Sequence, residues 1–120
     1  MAANADGLRI EIRNLETNTH QVKLMGALNM ESVEQFKLAM APLTAESKSA
    51  CFILELSNLE YFDSRGLGAL LELARKSGRL VLLKMRPASQ HILSMYYIRD
   101  WPKNIAIVDD EADALALVSE

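Results

Sequence analysis

One strand–helix–strand unit in the middle of the chain constrains its fold more than any other feature. Cys51–Leu56 and Leu80–Met85 are both almost continuously apolar. Such runs are typical of parallel strands that are covered on both faces. The segment between them, which ends at Gly78, carries apolar residues at the helical spacing i, i+3, i+4 and i+7: Leu67, Leu70, Leu71 and Ala74. The unit predicts two parallel strands joined by a helix, and therefore an α/β fold.

The residues before this unit predict an antiparallel hairpin. Leu8–Arg13 alternates strictly between apolar and polar residues, and Gln21–Leu24 alternates again. This period of two is the pattern of half-buried strands. The turn-like residues Asn14–Asn18 separate the two runs, and Gly26–Asn29 ends the second. We therefore expect a mixed sheet that begins with an antiparallel hairpin.

A first helix is predicted after the hairpin. Asn29 or Ser32 can cap its N-terminus, and Gln35 stands three residues after Ser32, which is the spacing of a capping box. Pro42 bounds the helix in or near its last turn. The expected buried face consists of Val33, Phe36, Met40 and Leu43.

A third helix is predicted to begin at Pro87, which suits a first helical turn, and to extend to about Tyr97. An aromatic cluster lies near its end: Tyr96, Tyr97 and Trp101. We expect the cluster to pack beneath the helix, and its alternative role is that of an exposed docking anchor.

The chain is predicted to close with a strand and a helix. Ile105–Val108 is a short apolar run, and Asp109 or Asp110 can cap a helix over Glu111–Val118. The expected architecture is an α/β domain in which helices and strands alternate after the hairpin.

Composition limits both the domain count and the class of protein. The 120 residues fit one domain, at 1–120, with a core at about 8–118 and a frayed terminus at 1–7. A net charge of −3 without a basic stripe argues against a nucleic-acid surface. No apolar run approaches the roughly 20 residues that a membrane helix needs. The single Cys51 excludes an internal disulfide and, with two distant histidines, offers no zinc spacing, so a reducing cytoplasm is expected, with no metal or other cofactor.

The residues that open the second helix are the candidate functional site. Asp63 and Ser64 follow a polar and aromatic connection at 57–62, and they place a hydroxyl beside a carboxylate at a strand-to-helix junction. A helix N-terminus is electropositive and has free N–H groups, so it accommodates a phosphate. Ser64 could instead be an N-cap worth about 1 kcal/mol, although Asp63 is an equally good cap. Gly66 and Gly68 leave the Ser64 hydroxyl accessible, or else allow close packing of helix on sheet.

The segment Leu54–Leu70 resembles the signature of STAS domains, and more narrowly that of bacterial anti-sigma factor antagonists. In that family a strand is followed by an Asp-Ser-Ser-Gly-Leu-Gly run that opens a helix. Leu24–Asn29 resembles the family's Gly-Glu-Leu-Asp turn, and Pro87–Ile98 its Pro-initiated helix. The resemblance extends from about residue 8 to residue 118 and implies a STAS fold.

The resemblance also implies a function as a non-enzymatic partner switch. The family's phosphorylated serine matches Ser64, and its partner is an anti-sigma factor that is also a serine kinase; a serine phosphatase resets it. The docking surface implied for this chain consists of Asn29, Asp63, Arg65, Gly66 and Leu67. Three positions depart from the family pattern, because Arg65 replaces its second serine, Asn29 its aspartate and Ala27 its glutamate.

Two other functions are alternatives to partner switching. Some STAS domains are constitutive adaptors in transporter or scaffold complexes and are never phosphorylated. A small hydrolase or nucleotide-binding enzyme that uses Ser64 is a remote alternative, because no Gly-x-Ser-x-Gly elbow surrounds Ser64 and the third glycine of a dinucleotide loop is replaced by Leu71. The sequence predicts no oligomeric state.

Overall fold

The fold follows the alternation of strands and helices that the sequence predicts. The computed structural model describes residues 7–16, 18–95 and 102–119. In chain order the elements are β1 (Leu8–Glu16), β2 (Thr19–Leu28), α1 (Val33–Glu46), β3 (Cys51–Phe62), α2 (Ser64–Arg75), β4 (Arg79–Leu83), α3 (Pro87–Met95), β5 (Ile105–Val108) and α4 (Glu111–Val118).

The strands form one mixed sheet in the order β1-β2-β3-β4-β5. β1 and β2 pair antiparallel, and every other neighbouring pair is parallel. The predicted α/β class, the N-terminal hairpin and the parallel β3–α2–β4 unit are thereby confirmed. β5 and α4 have the predicted bounds, and Asp110 caps α4 because its Oδ1 accepts a hydrogen bond of 2.8 Å from the Ala112 amide.

Two hydrophobic cores lie on opposite faces of this sheet. Side chains alternate between the faces of a strand, so in β4 Leu80 and Leu82 join one core while Val81 and Leu83 join the other. The larger core lies beneath α1, α2 and α3, and the smaller one beneath α4. Each fully buried large side chain contributes about 1.5–3 kcal/mol, so the larger core dominates the stability.

The two central strands are longer than the sequence indicated. β3 continues to Phe62, where a loop was expected from Ser57, and β2 continues to Leu28, past the predicted break at Gly26. The two strands stay paired as far as Leu28 and Phe62, with register shifts between Lys23 and Met25 and between Gly26 and Ala27. Gly26 has a φ of 98°, a left-handed conformation that glycine adopts without strain.

α1 begins directly after Ser32, one of the two predicted cap residues, and Pro42 lies near its last turn, but the predicted capping box was wrong. The helix continues one turn past Pro42, to Glu46. Pro42 lies on the exposed side of the helix, where its missing backbone N–H costs least. Ser32 and Gln35 form no capping box, because Gln35 Nε2 donates to the Leu8 carbonyl at 2.8 Å instead. Tertiary packing of α1 on β1 therefore supplies the partner of Gln35.

Smaller differences concern the other ends. β1 extends to Glu16 rather than ending at Arg13, and β4 ends at Leu83 rather than Met85. The predicted end of α3 near residue 97 and the aromatic cluster at 96–101 lie outside the described residues, as do residues 1–6 of the frayed terminus predicted at 1–7. Within the part of the chain that the structure describes, no helix is long and apolar enough to cross a bilayer.

Candidate functional site

Ser64 is the first residue of α2 and is exposed to solvent. Only Asp63 separates it from the end of β3, the central strand, so the strand and the helix together hold it at the carboxyl end of that strand. Its hydroxyl makes no hydrogen bond to any residue that the structure describes. The serine is therefore available for modification at the electropositive end of a helix.

Asp63, and not Ser64, caps this helix. Asp63 Oδ1 accepts a hydrogen bond of 2.9 Å from the Gly66 amide. Its other oxygen, Oδ2, accepts one of 3.1 Å from the Met30 amide in the loop between β2 and α1. The Asp63 carboxylate thus binds one free amide at the start of α2, so that the Ser64 hydroxyl is not needed as a cap. The same carboxylate connects two segments that lie 33 residues apart in the chain.

Asn29 organises the loop that Asp63 contacts. Asn29 Oδ1 accepts hydrogen bonds from the Glu31 amide at 3.0 Å and the Ser32 amide at 3.2 Å. The Asn29 amide in turn donates to Ser32 Oγ at 3.0 Å. These bonds fix the turn that presents the Met30 amide to Asp63. The structure therefore brings the predicted residues Asn29 and Asp63 close together, because Asp63 binds the backbone amide of Met30, the residue that follows Asn29.

Gly66 and Leu67 lie beneath the site rather than on it. A Cβ added to Gly66 would approach the Leu28 carbonyl oxygen to 2.3 Å, so this glycine allows the helix to pack closely on the end of β2. Leu67 is 4% exposed and belongs to the larger core. A Cβ at Gly68, by contrast, would meet no atom within 4 Å. The two predicted docking residues therefore position the surface from below, and only Gly68 leaves open space beside it.

Charged residues and exposed apolar residues flank the serine in the chain and occur in the loop that binds Asp63. Arg65 is exposed and makes no ion pair with the described residues, and Glu60 is exposed near the end of β3. Met30 is 62% exposed and Tyr61 is 49% exposed. Sequence reasoning missed Met30 and Tyr61, because an isolated apolar residue has no periodicity that separates a surface position from a core position.

Within the described residues the geometry offers no metal cluster, and it places His20 far from Ser64. Residues 7–16, 18–95 and 102–119 contain no group of three histidine, cysteine, aspartate or glutamate side chains that could hold a metal ion. His20 is buried near the start of β3, where its ring lies 5.4 Å from that of Phe52 and its Nδ1 is 2.7 Å from Asn14 Oδ1. Ser64 lies beyond the other end of that strand, roughly 30 Å away at the rise of an extended chain. His20 therefore does not reach Ser64 as a base.

The sheet topology and the exposed serine at the start of α2 accompany a match to a known family. A family model described as the Mlab STAS domain matches residues 11–105. The chain belongs to the STAS domain family. This STAS domain is also a distant homologue of the anti-sigma F factor antagonist of Lysinibacillus sphaericus, with 24% identity over 98 residues that cover 78% of this chain and 84% of that protein.

Solved structures extend the likeness to the whole fold. The anti-sigma factor antagonist SpoIIAA in its unphosphorylated form matches 93% of this STAS domain and 98% of its own chain, with a TM-score of 0.74 at 19% identity. The Bacillus protein in its phosphorylated form matches 91% and 99%, with a TM-score of 0.67 at 19% identity.

A membrane transporter contains a similar region. The murine anion transporter Slc26a9 matches 94% of this STAS domain over 22% of its own chain, with a TM-score of 0.69 at 13% identity. At identities below 25%, these likenesses establish a SpoIIAA-like fold. The fold occurs both in SpoIIAA, where it makes up almost the whole chain, and as one part of a transporter.

Proposed function

We propose that this STAS domain is a partner-switching regulator of the anti-sigma factor antagonist type, and that it is not an enzyme. In this proposal the unmodified protein binds an anti-sigma factor that is also a serine kinase. Phosphorylation of Ser64 releases that partner, and a serine phosphatase restores binding in the cytoplasm. The observation that carries the proposal is the exposed, unbonded Ser64 hydroxyl at the start of α2.

The electrostatics at α2 support phosphorylation without unfolding. A phosphate on Ser64 adds about −1.5 to −2 charges at neutral pH. The helix dipole favours that charge, and the Asp63 cap does not depend on the serine hydroxyl. The fold is therefore expected to persist, while the charge of the surface changes.

The change would act on a docking surface around Ser64. We assign to it Asn29 and Asp63, which shape the loop, together with Arg65 and the exposed apolar residues Met30 and Tyr61. A partner that covers these apolar side chains would have to bury a dianion beside Asp63 and Glu60 after phosphorylation. Burial of an uncompensated charge is costly, so the complex would dissociate. Arg65 can pair with the phosphate and thereby reduce this cost.

The proposal is tested by the affinity of Ser64 variants for an anti-sigma factor kinase from the same host, measured by calorimetry. We expect Ser64→Ala to bind as the wild type does and Ser64→Asp to bind at least about tenfold more weakly, a loss of ~1.4 kcal/mol. Ser49→Asp is the matched control, because Ser49 is also exposed but precedes β3, at the opposite end of the strand. Equal affinities of the two Ser64 variants would contradict the switch.

Mass spectrometry of the protein from its own host tests the modification itself. Intact mass and phosphosite mapping, with and without phosphatase treatment, should locate one phosphate on Ser64. If the protein stays unmodified under several growth and stress conditions, phosphorylation does not regulate its partner binding.

A constitutive adaptor is the second candidate function. The similar region of the murine anion transporter favours it, because there the fold is part of a transport protein. Such an adaptor would bind its partner with equal affinity whether residue 64 is Ser, Ala or Asp. The same calorimetric series therefore separates the two functions.

A further inference from the structure

The helix α1 carries two apolar faces, of which only one is buried. The buried face packs into the larger core. A second set of apolar residues at the spacing i, i+3, i+4 and i+7 is exposed: Leu38, Ala41, Pro42 and Ala45. Leu38 is 72% exposed, the highest value among the large hydrophobic residues in the described ranges. A surface helix normally has a single apolar stripe, so the second face is a candidate contact surface.

A groove between α1 and α2 lies beside this second face. One cavity of about 240 Å³ is lined by core side chains such as Phe36 and Leu73, and by Leu38 at its edge. An adjoining cavity of about 510 Å³ shares Ala41 and other lining residues with the first. The two cavities form one groove along both helices, with an apolar floor.

The edges of this groove are basic, although the whole chain has a net charge of −3. Four cationic residues and one acidic residue, Glu72, line the two cavities; the cationic residues are Lys37, Lys48, Arg75 and Lys76. Glu72 contacts Lys37 at 3.8 Å and Lys76 at 3.3 Å. Four positive charges less one negative charge leave a local excess of three positive charges.

We propose that the groove between α1 and α2 binds an amphipathic helix of a partner protein that is acidic along its flanks. The apolar face of that helix would lie over Leu38 and Ala41, and its carboxylates would face the lysines and Arg75. Laying an apolar helix face into a hydrophobic groove is a general mode of peptide recognition, and complementary charge selects the orientation and the partner.

This groove is a second docking surface, separate from the one at Ser64. A helix rises 1.5 Å per residue, so the α2 residues that line the groove, from Ala69 to Lys76, lie about 8 to 18 Å along α2 from Ser64. The residues that line the groove differ from those assigned to the surface at Ser64, so the two surfaces can bind separate segments. The inference does not depend on the proposed switch.

A pair of labelled peptides tests the groove in fluorescence anisotropy titrations of the full chain. Both peptides are helical, with leucines at i, i+3, i+4 and i+7; one has glutamates on its flanks and the other has lysines. We expect the acidic peptide to bind with an affinity that falls as salt rises, and the basic peptide not to bind. Equal binding of the two peptides would overturn the proposal.

Variants then locate the binding site. Leu38→Glu should weaken binding of the acidic peptide by at least about tenfold, as truncation of an interface anchor does. Met95→Glu is the matched control, since Met95 is 65% exposed but does not line the groove, and it should bind as the wild type does. Ala41→Glu provides a second exposed groove position should Leu38→Glu fail to fold. Unchanged binding by the folded groove variants would overturn the proposal.

Sedimentation of the wild-type protein distinguishes a partner helix from a second copy of this chain. We expect a monomer that binds the acidic peptide. Self-association that Leu38→Glu abolishes would identify a second copy as the occupant, and would overturn the assignment to a partner protein.

Discussion

At the scale of single residues, Asp63 connects the candidate site to the fold. Its two carboxylate oxygens accept hydrogen bonds from the Gly66 amide in α2 and from the Met30 amide before α1. The neighbouring Ser64 hydroxyl is consequently not needed for capping. Asp63 and Ser64 look redundant as caps in the sequence, but they have separate roles. Asp63 holds the loop and the helix together, and Ser64 presents a free hydroxyl.

Replacement of Asp63 should cost more than loss of an ordinary helix cap. Asp63→Ala removes a cap worth about 0.5–2 kcal/mol and a second hydrogen bond worth about 0.5–1.5 kcal/mol, so we expect a loss of about 2 kcal/mol. Asp110→Ala, which removes only the bond to Ala112, is the control, with an expected loss of about 1 kcal/mol. Urea unfolding measures both, and an equal loss in the two variants would argue against a connecting role for Asp63.

The two glycines of α2 should respond to alanine in opposite directions. Gly66→Ala places a methyl group 2.3 Å from the Leu28 carbonyl oxygen, so we expect a loss of about 1–3 kcal/mol from overpacking. Gly68→Ala meets no atom within 4 Å and should stabilise the protein by about 0.5–1 kcal/mol, because alanine is the better helix former. Thermal unfolding compares the pair, and stabilisation by both alanines would rule out the close approach at Gly66.

At the scale of elements, α1 is a helix with an interior proline. Pro42 is followed by four more helical residues, to Glu46. The proline removes one backbone hydrogen bond, yet it lies on the exposed face, where water can satisfy the freed carbonyl. Burial of the opposite face, with Phe36 1% exposed, keeps the helix in place despite this local cost.

Replacement of Pro42 should therefore stabilise the protein. Pro42→Ala restores the missing backbone donor and should raise the free energy of unfolding by about 1–3 kcal/mol. Pro87 begins α3, where its missing N–H would have no helical partner, so Pro87→Ala should change the stability by less than about 0.5 kcal/mol. Chemical denaturation of both variants checks the difference, and a stability of Pro42→Ala at or below that of the wild type would contradict it.

At the scale of the whole molecule, one sheet joins two hydrophobic cores. Neighbouring residues of β4 belong to different cores, since Leu80 and Leu82 face one side and Val81 and Leu83 the other. Disruption of either core therefore disturbs the strand that supports the other. The antiparallel hairpin shares its second strand with the parallel part through the β2–β3 pairing.

This shared sheet predicts a single cooperative unfolding transition. We expect the calorimetric enthalpy to equal the van't Hoff enthalpy, at about 80 kcal/mol for a chain of this length. Scanning calorimetry and far-ultraviolet circular dichroism should give coincident midpoints. Two separated transitions would mean that the cores unfold independently.

The amino-acid sequence by itself determined the type and order of the elements and the position of the candidate serine. Periodicities within short segments predicted the hairpin and the β3–α2–β4 unit, because side chains that share a face recur at a period set by the local backbone. Asp109 and Asp110, as capping residues, indicated where α4 begins. The Asp63–Ser64 pair at a helix start was visible for the same local reason.

Only the tertiary structure decided what depends on residues far apart in the chain. The extension of β3 to Phe62 requires pairing with β2, and the choice of Asp63 as the cap is reinforced by the Met30 amide. The different surroundings of Gly66 and Gly68 and the basic groove between α1 and α2 also arise from packing between elements. Such contacts leave no periodic signal in the sequence, because they join segments whose relative placement is set by the folded core.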